Sequence, residues 1–249
     1  MIRLDNLSFA YPQQPVLSGL TAVFTPGRLH VVLGGNGVGK TTLIGLLAGR
    51  LKPARGCVRL SENILHTLPV EILARRLALV TQRQPLTELT VIDYLLLGRK
   101  PYLGWRVGAA DREVVFMVLR ELALEPLALR PLSRLSGGEL QKCAIARALV
   151  QQPKILLLDE ATSNLDLKNQ LAMMDIIRRE TRERSLVTII TLHDLNLALR
   201  FGDHFFLLKD QRFLAQGDRS VLTDDNLSRL YEVNIRVFKD VEGNLSVVV

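Results

Sequence analysis

The sequence contains little cysteine, few aromatic residues and no long hydrophobic run. Its two cysteines, Cys57 and Cys143, lie far apart and outside any Cys-x-x-Cys spacing, which argues against a disulfide framework and against a zinc site. The longest unbroken apolar run, 114–119, has six residues, whereas a helix that spans a bilayer needs about 20. We therefore expect two reduced, structural cysteines and no membrane-spanning helix.

The first residues also lack a secretory signal, because Asp5 stands where such a signal would continue its hydrophobic segment. The cytoplasm is therefore the expected compartment. Of the 249 residues, 48% are hydrophobic, which is enough to bury one substantial core or two small ones. Disorder of the whole chain is thereby excluded.

The chain carries a formal net charge of +7, from 32 basic and 25 acidic residues. The charge alone leaves nucleic acid or an anionic membrane surface open, but either partner would need the basic residues to be clustered. The densest basic group is interleaved with Glu180 and Glu183, which is typical of a solvated helix face, and we expect no nucleic-acid partner. This group consists of Arg178, Arg179, Arg182 and Arg184.

Short apolar runs alternate with helix-length segments along the chain, which predicts an α/β fold. Between 91 and 150 the apolar spacing becomes helical, notably over 111–124, and this stretch is predicted to be a helical insertion. No repeat or low-complexity linker divides the chain, so residues 1–249 are expected to form a single domain. Buried strands are expected at 29–33, 155–158, 186–191 and 205–208.

A glycine-rich segment follows the first predicted strand and precedes a predicted helix. It fits G-x-x-x-x-G-K-[ST], whose glycines allow a tight turn, so that successive N–H groups and the helix N-terminus point at phosphate oxygens. Lys40 is expected to reach the β and γ phosphates, and Thr41 to offer a hydroxyl to Mg²⁺. A purely structural glycine turn is the poorer alternative, given Lys40 and Thr41. The expected nucleotide-binding residues here are Gly34, Gly35, Asn36, Gly37, Val38, Gly39, Lys40, Thr41 and Thr42.

A pair of acidic residues, Asp159 and Glu160, ends the predicted strand at 155–158. A P-loop enzyme needs a second Mg²⁺ ligand and a group that orients the attacking water, and both should lie at the end of a neighbouring strand. Asp159 is therefore the candidate metal ligand and Glu160 the candidate general base. Taken alone, such a pair is often a solvated strand end; the P-loop favours the catalytic interpretation.

The segment Leu-Ser-Gly-Gly-Glu-Leu-Gln at 135–141 resembles the signature motif of ATP-binding cassette (ABC) ATPases. Further elements of that family appear in order along nearly the whole chain, namely Tyr11, Gln82, the loop 163–166 and His193. The resemblance implies an ATPase that binds ATP and Mg²⁺. It also implies a P-loop NTPase core with an antiparallel β subdomain and a helical subdomain over approximately 84–150, which contains the signature motif.

The resemblance assigns a nucleotide-binding role to Tyr11, and it assigns catalytic roles to Gln82 and His193 beside Lys40 and Glu160. Tyr11 would stack on adenine, although a lone aromatic residue is more often a packing residue. Gln82 would join Thr41 and Asp159 as a Mg²⁺ ligand and sense the γ-phosphate. His193 would hydrogen-bond the γ-phosphate, although outside this setting it would be an ordinary residue at a helix start.

The resemblance also implies that the active form contains a second copy of the chain. The signature would contact the ATP that is held by the P-loop of the partner, because a serine hydroxyl, glycine N–H groups and a helix N-terminus form an anion site. Asp166 would position the opposite subunit. The signature residues concerned are Ser136, Gly137, Gly138, Glu139 and Gln141.

Several stretches resemble the ATPase subunits of importers for iron-siderophore, haem and cobalamin complexes. This implies a separate multi-span membrane permease, a substrate-binding protein that acts through the permease, and a position at the cytoplasmic face of the membrane. Import of molybdate or tungstate, and a non-transport role in iron-sulfur assembly, remain alternatives. The stretches are 98–104, 192–198, and 222–227 together with 231–233.

Three positions depart from the family pattern. Gly35 stands where proline is frequent, and the tail 139–142 lacks an arginine that is frequent in siderophore importers. Gln211 replaces the glycine of an Asp-Gly turn that usually precedes the next strand. None of these changes removes a catalytic group.

The region from Gln82 to Tyr102 is predicted to be a docking groove for a short cytoplasmic helix of the permease. It carries more large apolar side chains than a small helical insertion is expected to bury. In the alternative interpretation, these side chains form the core of the insertion itself. The apolar residues are Leu86, Leu89, Leu95, Leu96, Leu97, Tyr102, Leu103 and Trp105, with Arg83, Arg99 and Lys100 at the rim.

Overall fold

The fold is known from a computed structural model that describes residues 1–82, 87–102, 106–163, 165–239 and 245–248. None of the helices in these residues combines the length and apolar character that crossing a membrane requires. The strands are β1 (Ile2–Tyr11), β2 (Gln14–Phe24), β3 (Arg28–Leu33), β4 (Arg55–Leu60), β5 (Asn63–Ile64), β6 (Leu77–Val80), β7 (Ile155–Asp159), β8 (Val187–Thr191), β9 (His204–Lys209), β10 (Arg212–Gly217), β11 (Arg236–Lys239) and β12 (Leu245–Val248). The helices are α1 (Lys40–Leu47), α2 (Val70–Arg76), α3 (Val91–Leu96), α4 (Ala109–Glu121), α5 (Gly137–Val150), α6 (Leu167–Glu183), α7 (Leu195–Phe201) and α8 (Asp224–Tyr231).

A six-stranded sheet in the order β10-β9-β3-β8-β7-β6 forms the centre of the molecule. All its strand pairs are parallel except β9 with β10. The four predicted buried strands correspond to β3, β7, β8 and β9. Strands β7 and β8 are buried along their whole length, as expected where both faces of a parallel sheet are covered. The carboxyl ends of the parallel strands therefore meet at one edge of the sheet.

Alternate residues of the central sheet face two separate cores. On one face, Leu157 and Ile189 pack with α1 and with the antiparallel sheet β2-β1-β4-β5. On the other face, Leu156 and Ile190 pack with residues of α3 to α8. The expected α/β cassette fold with an antiparallel sheet is confirmed.

Helices occupy the stretch between β6 and β7, as the apolar spacing predicts, in the part of it that the structure describes. The predicted helix over 111–124 corresponds to α4, which buries Val115, Val118 and Leu119. Cys143 is buried on α5, and burial raises the pKa of its thiol to about 12. Both cysteines are free, as expected.

The arginine-rich part of α6 forms ion pairs within the fold. Glu180, which is 2% exposed, pairs with Arg179 at 2.9 Å and with Arg184 at 2.7 Å. Arg182 lies 3.6 Å from Asp203. A buried carboxylate needs such partners, because an unpaired interior charge is costly. Arg179, Arg182 and Glu183 are exposed, as expected for a solvated helix face, whereas Glu180 is buried and departs from that expectation.

The turn between β9 and β10 keeps its two-residue form although glycine is missing. Lys209 and Arg212 pair directly across it, while Asp210 and Gln211 have φ angles of 45° and 68°. This left-handed backbone costs a residue with a side chain about 1–2 kcal/mol. The carbonyl of Gln211 accepts the N–H of Ser18 at 2.9 Å, which ties the turn to β2. The departure from the family pattern therefore adds strain without changing the form of the turn.

We predict that Gln211→Gly raises the free energy of unfolding by about 0.5 kcal/mol. The substitution removes about 1–2 kcal/mol of strain, but it also adds about 0.5–1 kcal/mol of opposing backbone entropy in the unfolded chain. Urea unfolding measures the net difference. Gln216→Gly is the control, because Gln216 lies within β10, where glycine is expected to destabilise. If the Gln211→Gly variant were less stable than the original protein, the inference that the backbone of Gln211 is strained would be wrong.

Candidate nucleotide-binding and catalytic site

The glycine-rich loop joins the end of β3 to the start of α1. A Cβ at Gly34 would lie 2.4 Å from the backbone oxygen of Leu208, so glycine is required there. Gly39 caps α1 with a φ of 105°, which L side chains rarely adopt, and a Cβ would lie 2.8 Å from Val16. These constraints hold the loop backbone close to the N-terminus of α1, an arrangement that binds phosphate.

A cavity of about 220 Å³ lies beside this loop. Tyr11 forms part of its wall; it is 44% exposed and meets Phe9 edge to face, with ring centroids 4.9 Å apart. Glu160 reaches the same cavity from the end of β7. The structure thus brings an aromatic ring, the P-loop and a carboxylate together. The lining consists of Tyr11, Gln14, Val16, Asn36, Gly37, Gly39, Lys40, Thr41, Thr42 and Glu160.

Lys40 is buried at the start of α1. Its Nζ donates to the carbonyl oxygens of Gly34 at 2.9 Å and Gly35 at 2.8 Å. Burial lowers the pKa of Lys40, whereas the charges of Glu160 and Asp159 act in the opposite direction. The ammonium is therefore held over the loop, where phosphate oxygens can compete with the two carbonyls for its three N–H donors.

Asp159 ends β7 and Thr191 ends β8, and the two residues are direct partners in the parallel register. The hydroxyl of Thr191 donates to Oδ1 of Asp159 at 2.9 Å and accepts the N–H of Glu160 at 2.9 Å. The hydroxyl of Thr41 lies 3.4 Å from the same Asp159 oxygen. Thr191 therefore orients both acidic residues, a role that the sequence analysis missed. The available signal was a threonine that closes a buried strand.

Glu160 combines a strained backbone with a contact to His193. Its φ of 50° lies in the left-handed region, and such strain is often found at functional sites. Its Oε1 lies 2.5 Å from Nε2 of His193, which follows β8. Two predicted catalytic residues from different strands thus meet at the sheet edge.

Gln82 follows β6 and is linked to the same edge through Ser163. Its Nε2 donates to Oγ of Ser163 at 3.3 Å, and that hydroxyl donates to the backbone oxygen of Glu160 at 3.0 Å. Asn164, in the predicted loop 163–166, lies outside the described residues. Gln82 is therefore connected to the candidate base by two hydrogen bonds.

The signature segment begins α5, with Ser136 as the capping residue. Oγ of Ser136 accepts the N–H of Glu139 at 3.3 Å, and the Glu139 carboxylate accepts the N–H of Ser136 at 2.8 Å. The hydrogen bonds from Ser136 lower the pKa of Glu139. Gln141 is buried. None of these residues lines the cavity beside the P-loop, so within one chain the signature stands apart from that cavity.

Asp166 caps α6 next to the start of the signature helix. Its carboxylate accepts the backbone N–H of Asn169 at 2.8 Å and the side-chain amide of Asn169 at 3.0 Å. A Cβ at Gly138 would lie 3.0 Å from Cγ of Asn169. The first turns of α5 and α6 are therefore in close contact.

The oxygen atoms at the sheet edge fit a Mg²⁺ ion that binds together with a nucleotide. Mg²⁺ prefers oxygen ligands and is usually held by one or two carboxylates, waters and substrate phosphates. Thr41 and the buried Asp159 supply a hydroxyl and a carboxylate close to each other. In the part of the chain that the structure describes, no group of three or more His, Cys, Asp or Glu side chains could hold a metal. This donor set thus needs phosphate oxygens to complete the coordination.

A groove of about 590 Å³ lies between α2, the C-terminal half of α5 and the 3-10 segment Leu97–Tyr102. Its exposed apolar residues are Val70, 75% exposed, and Leu97, 47% exposed. Lys100 and Pro101 also line it, as do the basic residues Arg50 and Arg147. Part of the predicted docking surface, between Gln82 and Tyr102, therefore borders an open groove.

Two side chains that were expected on this surface lie elsewhere, so that part of the prediction is wrong. Leu95 is fully buried, because α3 packs on α5 and turns this residue into the core. Arg99 is 6% exposed and pairs with Asp111 at 3.0 Å, so it does not stand at the rim. Leu86, Leu103, Trp105 and Arg83 lie outside the described residues.

Comparison with known proteins now decides the family. A family model described as ABC transporter matches residues 17–163, which is more than half of the chain. This chain belongs to the ABC transporter family. As an ABC ATPase, it binds ATP and couples ATP hydrolysis to transport.

Relatives match nearly the full length of this ABC ATPase. It is 43% identical over 243 residues to an uncharacterized ABC transporter ATP-binding protein of Methanocaldococcus jannaschii, covering 98% of this chain and 95% of the relative. It is 36% identical over 258 residues to a hemin import ATP-binding protein of Bordetella parapertussis, covering 99% and 98%. It is 34% identical over 243 residues to an ATP-binding protein named for a siderophore transport system of Bacillus subtilis, covering 96% and 88%.

Solved structures share the fold of this ABC ATPase. An ABC transporter described as being of the metal-chelate type, in an inward-facing conformation, is 28% identical with a TM-score of 0.86, covering 100% of this chain and 97% of that chain. A bacterial ABC transporter cassette in a dimeric structure is 28% identical with a TM-score of 0.77, covering 88% and 98%.

We predict that Thr191→Val lowers the free energy of unfolding by about 1–3 kcal/mol. Valine has nearly the shape of threonine, but it can neither donate to Asp159 nor accept the N–H of Glu160, so both polar groups lose a partner. Chemical denaturation at neutral pH measures the loss. Thr191→Ser is the matched control, because it keeps the hydroxyl. If the valine and serine variants were equally stable, the hydroxyl would not be the stabilising partner.

Proposed function

We propose that this chain powers uptake of a metal chelate, of the iron-siderophore, haem or cobalamin type, through a separate membrane permease. The ATPase chemistry rests on one observation: Lys40, Asp159 and Glu160 converge at one sheet edge beside the P-loop. The names of the hemin import and siderophore transport relatives, and the metal-chelate type of the similar transporter, support the cargo class. They favour it over the oxyanion and iron-sulfur alternatives.

The organisation that we propose has a single ATPase domain, 1–249, with a helical subdomain over approximately 84–150. The chain works at the cytoplasmic face of the membrane, bound to the permease. A substrate-binding protein delivers the cargo to the permease from the other side. The groove beside Leu97–Tyr102 receives a short cytoplasmic helix of the permease. It combines exposed apolar side chains with charged ones, namely the basic Arg50, Lys100 and Arg147 and the acidic Glu71.

Nucleotide binding in this proposal uses the P-loop and Tyr11. The ring of Tyr11 stacks on adenine, while the loop N–H groups and the N-terminus of α1 hold the phosphates. Lys40 exchanges its carbonyl partners, Gly34 and Gly35, for β and γ phosphate oxygens. Its charge compensates the phosphates in a site that otherwise consists of dipoles.

The metal ligands in this proposal are Thr41, Asp159 and Gln82, together with phosphate oxygens. When bound, Mg²⁺ neutralises charge that develops on the β and γ phosphates. The hydrogen bond from Thr191 orients Asp159 for this task. The chain therefore contributes a carboxylate whose position is set by the sheet.

Hydrolysis in this proposal starts from Glu160. Its carboxylate accepts a proton from the attacking water while the water oxygen bonds to the γ-phosphorus and the bond to the bridging oxygen of ADP breaks. His193, whose Nε2 contacts Oε1 of Glu160, orients this carboxylate and hydrogen-bonds the γ-phosphate. The products are ADP and phosphate.

Two copies of the chain close each ATP site in this proposal. The hydroxyl of Ser136 and the N-terminus of α5 form an anion site away from the P-loop cavity of their own chain. The dimeric structure of the similar bacterial cassette supports such an arrangement. Asp166 positions the opposite subunit. The signature residues that bind the ATP of the second copy are Ser136, Gly137, Gly138, Glu139 and Gln141.

We predict that Glu160→Gln retains ATP binding and lowers ATP hydrolysis by at least about 100-fold. The amide is nearly isosteric with the carboxylate but cannot accept the proton of the water at neutral pH. Phosphate release and nucleotide affinity measure the two effects. Uptake of the radiolabelled metal chelate that the native protein supports, whether iron-siderophore, haem or cobalamin, should cease. Nearly unchanged turnover would show that another group activates the water. Uptake of molybdate instead of any of these metal chelates by the native protein would contradict the cargo class.

We predict that Ser136→Arg leaves ATP binding to a single chain intact and blocks ATP-dependent dimerisation. The bulky cation fills the half-site that receives the nucleotide of the second copy. Size-exclusion chromatography with ATP, in the Glu160→Gln background, measures the dimer. Ser133→Arg is the control, because Ser133 is exposed and lies three residues before the signature serine. Equal dimerisation of the two variants would contradict the shared site.

A further inference from the structure

Arg99 is the one arginine among the described residues that is buried, and the ATP site gives it no role. It follows Gly98, where a Cβ would lie 2.3 Å from the backbone oxygen of Arg147. The chain therefore runs directly against the backbone of α5 at this point. A buried guanidinium is stable only if its charge and its donors are satisfied.

The guanidinium of Arg99 donates hydrogen bonds through Nε and Nη1 to groups at and beside the ends of two helices. Nε donates to Oδ1 of Asp111 at 3.0 Å, in the first turn of α4. Nη1 donates to the carbonyl of Val150 at 2.8 Å, at the last residue of α5, and to Oε1 of Gln152 at 2.9 Å. The hydrogen bond from Arg99 lowers the pKa of Asp111, as does the N–H of Gly108. The planar fork of arginine can make these divergent bonds together, whereas an ammonium cannot.

The same residue also contacts Tyr102, which ends the segment Leu97–Tyr102 that borders the groove. The guanidinium carbon of Arg99 lies 4.2 Å from the ring centroid of Tyr102, and that of Arg75, on α2, lies 5.3 Å from it. Nε of Arg75 donates to the carbonyl of Pro101 at 2.9 Å, and the hydroxyl of Tyr102 donates to the carbonyl of Arg75 at 3.3 Å. The segment Leu97–Tyr102 is thus joined to α2 on one side and, through Arg99, to α4 and α5 on the other.

We propose that Arg99 is a positioning residue that transmits movement of the groove wall to the signature. Helix α5 has 14 residues, which corresponds to a length of about 21 Å. Arg99 holds its C-terminal end at Val150, and Ser136 caps the opposite end. A permease helix that displaces Leu97–Tyr102 therefore moves the signature relative to the ATP of the second copy. This inference rests on the proposed docking of the permease in the groove.

The test compares ATP hydrolysis by the isolated chain with hydrolysis and transport by the chain assembled with its permease in proteoliposomes. Arg99→Lys keeps a positive charge opposite Asp111 but loses the fork that reaches Val150 and Gln152. Gln152→Ala removes one acceptor and leaves the ion pair intact. Arg120→Met is the control, because Arg120 is on α4 and its side chain is 77% exposed.

We expect Arg99→Lys to lower permease-stimulated hydrolysis and transport about 3- to 30-fold, and Gln152→Ala to lower both less. The rate of the isolated chain and the affinity for the permease should stay within about twofold of the native values. The proposal would be overturned if the permease stimulated hydrolysis by Arg99→Lys as strongly as it stimulates hydrolysis by Arg120→Met. It would also be overturned if Arg99→Lys lost as much activity in the isolated chain as in the assembled complex. Thermal unfolding checks that the variants fold. If Arg99→Lys does not fold, the comparison of Gln152→Ala with Arg120→Met tests the proposal.

A separate variant tests whether the permease docks in the groove at all. Val70→Glu places a charge in the exposed apolar part of the groove and is expected to weaken binding of the permease. Unchanged binding of this variant would mean that the permease docks elsewhere, and the role of Arg99 would fall with it. A native chain whose hydrolysis does not respond to a permease would contradict the proposed function as well.

Discussion

The parallel pairing of β3, β8 and β7 is the constraint on which the site depends. Parallel strands share their carboxyl ends, so the P-loop after β3, Glu160 after β7 and His193 after β8 meet at one edge. The pairing also sets Asp159 opposite Thr191, and the hydroxyl of Thr191 fixes both acidic residues. A register shift of one residue would turn Asp159 to the other face of the sheet.

The positive charge of Lys40 and the negative charges of Asp159 and Glu160 stabilise each other at this edge. Burial disfavours the charged form of Lys40, while the carboxylates of Glu160 and Asp159 favour it. The left-handed backbone of Glu160 adds a strain of about 1–3 kcal/mol, which the buried strand and the hydrogen bond from Thr191 sustain. The polar groups are thereby held in position before any substrate arrives, which is the condition for electrostatic catalysis.

The helical part of the molecule is organised around α5, which joins two surfaces with different chemistry. At one end, Ser136 caps the helix N-terminus, where we propose that the ATP of the second copy binds. At the other end, Val150 is tied through Arg99 to the wall of an open groove. A helix transmits displacement along its axis because its backbone hydrogen bonds resist stretching. The two surfaces lie at opposite ends of one helix, and this position is the basis of the coupling that we propose.

The sequence by itself determined the local elements of this protein: the P-loop between β3 and α1, the acidic pair that ends β7 and the helix α4. Each depends on residues that lie a few positions apart, where spacing and chain geometry act directly. The tertiary structure alone decided the role of Thr191 and the burial of Leu95 and Arg99. Thr191 and Asp159 are 32 positions apart, and Arg99 and Val150 are 51 apart. Such contacts depend on which strands pair and which helices pack. A threonine that closes a buried strand signals a buried hydroxyl, but the local sequence does not identify its partner.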